Sequence, residues 1–250
     1  MNLIKTLKGK LLVASALALT AGAAHAGHLS YYEVTLGELN ESGVSGSGNF
    51  VYDDNAKTLE VNLQATGLFE FAPHAQHIHG IPDGDSVSPP VNDDDNDGFA
   101  DIDDDQDRYI ELAEAAMFYG PVMVPLTNAD GSLVETPGGV LDYSRTFDLT
   151  DPSVYGGSFD IDDLMPDELD KREIVIHGNY ISGTALEVPG EGTEGEIDGT
   201  IGYKAFLPVA TGEIVKADAP NMPAVPLPAS LPLLAVGFGA LGFMSRKRKS

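Results

Sequence analysis

Three of the six histidines in this 250-residue chain, His74, His77 and His79, fall within six positions in the stretch FAPHAQHIHGIP, residues 71–82. Imidazoles at that density are metal-ligand chemistry, because neutral ring nitrogens suit zinc, copper or iron. If the QHIHG segment is a strand, side chains two apart share a face, so His77 and His79 point together. His74 lies in the entering loop beyond Pro73 and can fold back to the same place. His177, near the end of REIVIHG, is a fourth candidate. Both His79 and His177 precede a glycine, as where a strand terminates. The competing reading is a strand-end His–x–His that bonds to backbone groups or faces solvent.

A second constellation follows in DDDNDGFADIDD. Asp93, Asp95 and Asp97 occupy positions 1, 3 and 5 of a calcium loop, and Gly98 takes position 6, where the chain turns sharply. Phe99 offers its carbonyl at position 7, Asp101 falls at 9 and Asp104 at 12. Calcium takes six to eight hard oxygens, and this spacing wraps carboxylates round one point. Asp in the last position resembles dockerin and thrombospondin type-3 loops. No helix can precede the loop, because Pro89 and Pro90 stand before it, but one leaving near Asp107 fits. Affinity of the weak, extracellular kind is expected. The competing reading is a solvated acidic linker. Asp160, Asp162 and Asp163 read as a polar cap before LMPDELDKR.

The elements that must position these groups are short strands separated by turn signals. Residues 31–36, 48–53 and 58–65 alternate apolar and polar with period two, and further strands are predicted at 145–149, 173–178, 201–208 and 212–217. One helix is predicted over 108–118, with Tyr109, Leu112, Ala113, Ala116 and Met117 at helical spacing. The expected fold is therefore mainly β, an antiparallel sandwich or barrel, with the acidic loop and helix of residues 83–120 inserted into it.

Both ends read as addresses. Residues 1–26 carry Lys5, Lys8 and Lys10, an apolar stretch and Ala24-His25-Ala26, which make a secretory signal peptide. Cleavage there leaves His28 second, so a copper site built on an N-terminal histidine is disfavoured. Residues 223–250 run from Val225-Pro-Leu-Pro-Ala229 through an apolar stretch to Arg246, Lys247, Arg248 and Lys249. That layout resembles the PEP-CTERM sorting signal of Gram-negative bacteria. The resemblance implies signal peptidase and an exosortase-type enzyme as partners during export, and then a cell-surface or matrix location, with extracellular polysaccharide or matrix as neighbours. A permanent single-span membrane anchor is the alternative.

Between these ends, residues 27–222 form one domain holding all 39 acidic residues and 7 of the 14 basic ones, a net charge of −32. Such a surface attracts cations and excludes nucleic acid as a partner. With no cysteine, the domain is held by its core and by any bound metal. No G-x-S-x-G, H-E-x-x-H or cysteine nucleophile supports a hydrolase.

Residues 30–80, with their Gly-rich turn, strand pair and HIHG, resemble the CHRD domain named from chordin. The IVIHG strand with His177, and Gly195-Glu-Ile-Asp-Gly199 as a GEIRG-like close, extend that resemblance over 157–205, with Asp198 where Arg is usual. The His–x–His strand with a later V-x-H strand is also similar to copper/zinc superoxide dismutase, a Greek-key sandwich. That likeness implies His77 and His79 as its first two copper ligands and His177 as the distal one. The bridging histidine, the zinc cluster, the guiding arginine and the disulfide have no counterpart here, and a charge of −32 repels superoxide. Two functions are carried forward: a non-enzymatic exported domain binding calcium and a histidine-held metal, and a copper- or zinc-centred redox or metal-handling protein.

Overall fold

The computed structural model describes residues 28–182 and 200–219. The signal segment 1–26, the Gly195–Gly199 close and the tail 223–250 lie outside the described residues. Within them, no helix is long and apolar enough to cross a membrane.

The period-two segments pair as expected. Strands β1 (Leu29–Glu38), β2 (Ser45–Asp53) and β3 (Thr58–Thr66) form an antiparallel meander. The β2–β3 turn closes where Asp53 accepts from the backbone amides of Asn55 and Ala56 at 2.9 and 3.0 Å. Along β3, Leu59, Val61, Leu63 and Ala65 are buried, while Glu60 and Gln64 are exposed. Each large side chain buried this way stabilises the fold by about 2 kcal/mol.

The chain then forms β4 (Ala75–His79), the acidic segment, helix α1 (Leu112–Tyr119), β5 (Val122–Pro125), β6 (Val140–Asp148), β7 (Glu173–Ile181) and β8 (Gly202–Ala217). The result is mainly antiparallel β: one eight-stranded sheet, in the order β5-β4-β7-β8-β1-β2-β3-β6, curled into a half-barrel. Its edge strands β5 and β6 are not hydrogen-bonded to each other. Side chains span the seam instead: the Tyr143 hydroxyl and the Arg145 guanidinium both donate to the Thr127 carbonyl, at 3.0 and 2.9 Å.

Two predicted strands, 201–208 and 212–217, are one 16-residue strand. Pro208, the last residue of the first, has no N–H to give a ladder. It sits opposite His177 at a register irregularity in the β7–β8 pairing, where a ladder donor can be spared. The inner face of the curl is filled by Tyr32, Phe50, Leu63, Ile78, Val124, Leu141, Ile174, Ile176 and Ile214 among others. Val175, between the two isoleucines, faces outward and packs with Leu39, Ile110, Ala115 and Tyr119 in a second, smaller core. Strand β7 is therefore buried on both faces, which is why its first six residues carry no exposed side chain. The segment between β4 and β5 covers the outer face of that half of the sheet.

The helix is shorter than its pattern suggested and turned differently. It starts at Leu112, buries Ala115 and Tyr119, and leaves Met117 73% exposed. Residues 108–111 are taken by the acidic segment, so the face chosen from Tyr109 and Met117 is not the one that packs. Around Asp160 the expectation holds: Asp160 caps a 3-10 turn, Ile161–Leu164, with Asp163 bonding back to its amide.

Candidate metal centres

On β4, Gln76 and Ile78 alternate with His77 and His79, so the two histidines share the outer face as predicted. On β7, His177 shares that face with Val175, and β4 and β7 are hydrogen-bonded neighbours. The structure brings His77, His79 and His177 together, with one ring nitrogen of each within 4.8 Å of the others. Ring centroids are 5.4 Å apart for His77–His79, 5.4 Å for His77–His177 and 5.8 Å for His79–His177.

Two of these rings are held by backbone carbonyls. His79 Nδ1 lies 2.8 Å from the Gly120 carbonyl and His177 Nδ1 lies 2.8 Å from the Phe206 carbonyl. A carbonyl only accepts, so Nδ1 carries the proton in each ring and Nε2 keeps its lone pair. Metal-ligating histidines are oriented by bonds of this kind. His79 Nε2 and His77 Nδ1 are buried with no hydrogen-bond partner. A buried polar atom without a partner costs about 1–3 kcal/mol, and the lone pair on His79 Nε2, beside two further imidazoles, would suit a metal ion. Burial drives the affinities for protons far down: to about 3 for His77, helped by His177 and His79, to about 3 for His79, and to about 4 for His177. All three rings are therefore neutral at physiological pH, the form that binds metal.

His74 does not join them. Its Nδ1 lies 2.9 Å from the His177 carbonyl and its Nε2 3.0 Å from that of Phe69, so both nitrogens face backbone carbonyls and neither faces the other rings. The loop that was expected to fold back does so, but onto the main chain of His177. Gly178 makes room for this contact: it has φ of 110°, and a Cβ there would collide with the Tyr203 hydroxyl and crowd His74. β7 does not end at this glycine but continues to Ile181.

In the acidic segment, Asp93, Asp95 and Asp101 gather within 4.8 Å. Asp93 accepts from the amides of Asp97 and Gly98, at 3.1 and 3.0 Å, and Asp97 accepts from that of Phe99 at 3.0 Å. Gly98 turns with φ of 97°. Asp97 itself is not in the cluster, and its other oxygen accepts from Gln106 at 2.9 Å. Asp104, expected at the last position, is not in it either. Its amide donates to Glu114 at 2.7 Å, in a different loop.

That loop was missed in the sequence. Ten residues on, Asp103 accepts from the amides of Asp107 and Arg108 at 3.0 and 2.8 Å, and Asp107 from that of Tyr109 at 2.7 Å, repeating the Asp93–Phe99 pattern. Asn96 and Gln106 match in φ, 61° and 60°, as do Gly98 and Arg108, 97° and 80°. Counting from Asp103 gives Asp105 at position 3, Asp107 at 5, Glu111 at 9 and Glu114 at 12, the last being the usual calcium-loop glutamate. Asp103, Asp105 and Glu114 gather within 4.8 Å, as do Asp105, Asp107 and Glu111. The spacing D-x-D-x-D…E-x-x-E was the available signal. Arg108 in place of the expected glycine hid it. Burial pushes the Glu114 carboxyl up to about 7.

Comparison with protein-family models and with curated proteins returns no match for this chain.

Proposed function

We propose that the protein is an exported, metal-binding β-domain whose three-histidine centre takes copper or zinc and whose acidic segment takes calcium. The observation that carries this reading is the convergence of His77, His79 and His177, with two ring nitrogens buried and unpartnered and two rings fixed by carbonyls. Neutral imidazoles without thiolate or carboxylate suit copper or zinc. The approach of one ring nitrogen of each to within 4.8 Å of the others supports such a donor set.

The signal segment and the sorting tail support export from a Gram-negative cell through signal peptidase and an exosortase-type enzyme. The acidic surface, −32 over residues 27–222, supports a cation-rich setting such as a surface polysaccharide matrix. The two acidic loops run directly into α1, whose Tyr119 packs on His79 at 4.6 Å. Calcium in them would order the cover over the histidine centre.

A redox reading is favoured by one observation: His77, His79 and His177, which the dismutase likeness implies as copper ligands, cluster across two adjacent strands. Against dismutation stand the −32 charge and the missing bridging histidine. Metal holding or handling is therefore the reading adopted.

The test is metal analysis of the untagged domain, residues 27–222, purified from its exporting host, with His77→Ala and His177→Ala beside it. Stoichiometric copper or zinc that both variants lose supports the proposal. A protein that carries neither, and whose melting temperature responds to calcium alone, sinks the histidine centre.

A further inference from the structure

Glu173 is fully buried, yet no lysine or arginine nitrogen lies within 4.0 Å of it among the described residues. It stands opposite His79 in the β4–β7 register, on the same outer face, and its partner on β8 is another carboxylate, Glu213. The Ser88 hydroxyl donates to one of its oxygens, and Thr211 donates to Ser88 at 3.1 Å. The second oxygen is buried with no hydrogen-bond partner, and so is the hydroxyl of Tyr119, the ring stacked edge-on against His79. A buried carboxylate is tolerated when a positive charge is near. Without one, burial pushes the Glu173 carboxyl up to about 7.

We propose that Glu173 is the counter-charge of the histidine centre, a positioning residue that favours a doubly charged ion there over a singly charged one. This rests on the metal reading of His77, His79 and His177. The cross-strand pairing puts the Glu173 and His79 side chains next to each other, roughly 5 Å apart at Cβ. No Glu173 oxygen belongs to the cluster of three ring nitrogens, so the carboxylate would act on an ion there through its field and not as a ligand. Coulomb energy scales with the charge of the ion, so the carboxylate favours a divalent ion twice as strongly, in logarithmic terms, as a monovalent one.

The experiment titrates the mature protein with Cu(II) and with Ag(I) at pH 8 against competing chelators, in wild type, Glu173→Gln, Glu173→Asp and Ser88→Ala. Glu173→Gln is expected to weaken Ag(I) about tenfold and Cu(II) about a hundredfold. Glu173→Asp and Ser88→Ala keep the charge and are expected to keep the Cu(II)/Ag(I) ratio of the wild type. Equal losses for both ions in Glu173→Gln, or none, overturn the proposal and leave the metal centre standing. A shifted ratio in Glu173→Asp, the variant to rely on if Glu173→Gln does not fold, overturns it as well. Wild type that binds neither ion overturns the metal reading and the proposal with it.

Discussion

The histidine centre and the acidic segment are neighbours built on opposite terms. The histidines sit on two paired strands, His79 and His177 almost wholly buried, with their ring orientation set by carbonyls of the surrounding backbone. The carboxylates of the first acidic loop are held by turns of the same loop and are largely exposed. One cluster is preformed by the curled sheet, and on the proposed reading the other would be completed by its ion. The second acidic loop lies between these extremes: Asp103, Asp107 and Glu111 are buried, and it leads straight into α1.

The sharpest way to break this contrast is to remove a ligand from the preformed site. His79→Ala is expected to abolish stoichiometric copper or zinc, a loss of at least about a hundredfold in affinity, measured by chelator competition. Retained affinity would mean that the three rings do not act as one site.

Acid should separate the two regions by sign. Burial lowers the folded-state affinities of His77, His79 and His177 for protons to about 3, 3 and 4, below the ordinary histidine value. Their contribution to stability is thus complete above about pH 6.5 and is lost as pH falls from there toward 4, on the order of several kcal/mol in the metal-free protein. Glu114 and Glu173 run the other way: each raised to about 7, they cost stability as pH rises from about 4.5 through 7 in the metal-free protein. Denaturant melts of metal-free protein across pH 4–8, repeated in Glu114→Gln, read both slopes. Removing Glu114 should leave the acid-side loss in place and diminish the neutral-side one. A Glu114→Gln protein with an unchanged neutral limb would refute the second half of this account.

A smaller effect separates the two acidic loops. Glu114→Gln should weaken the calcium-dependent rise in melting temperature, with affinity down roughly tenfold, whereas Asp104→Ala should leave it nearly intact. Asp95→Ala tests the first loop by the same measurement, and an unchanged calcium response there would show that the ion binds only from Asp103 onward.

The smallest effect on metal content is expected from His74→Ala. Loss of its bonds to the His177 and Phe69 carbonyls should cost about 2 kcal/mol of stability while copper or zinc stoichiometry stays at the wild-type value. Metal loss without destabilisation would return His74 to the ligand set.

Much of the frame was legible because its signals are local. Period-two alternation located β1, β2 and β3 within a few residues, and β6, β7 and β8 were expected as well, although β6 was begun five residues late and β8 was cut in two. It also put His77 and His79 on one side, since that follows from the geometry of any strand. The short β5 was not legible: its four residues carry no alternation, and their pairing with β4 is what makes them a strand. The helix face failed for a related reason. Helical spacing over 108–118 described an isolated amphipathic helix, but the loop geometry of Asp103–Tyr109 claimed its first turn.

Residue types and spacing by themselves determined a mainly antiparallel β-domain, a shared face for His77 and His79 and an acidic, cation-seeking segment, because strand periodicity, turn chemistry and charge act between near neighbours in sequence. Tertiary structure decided the rest. It set His177 beside His77 and excluded His74, since the choice depends on a β4–β7 register between residues about a hundred positions apart. It brought Glu114 and not Asp104 into the second acidic cluster, since α1 carries Glu114 back toward Asp103 and Asp105. It also left Glu173 buried opposite His79, a pairing that only the assembled sheet creates.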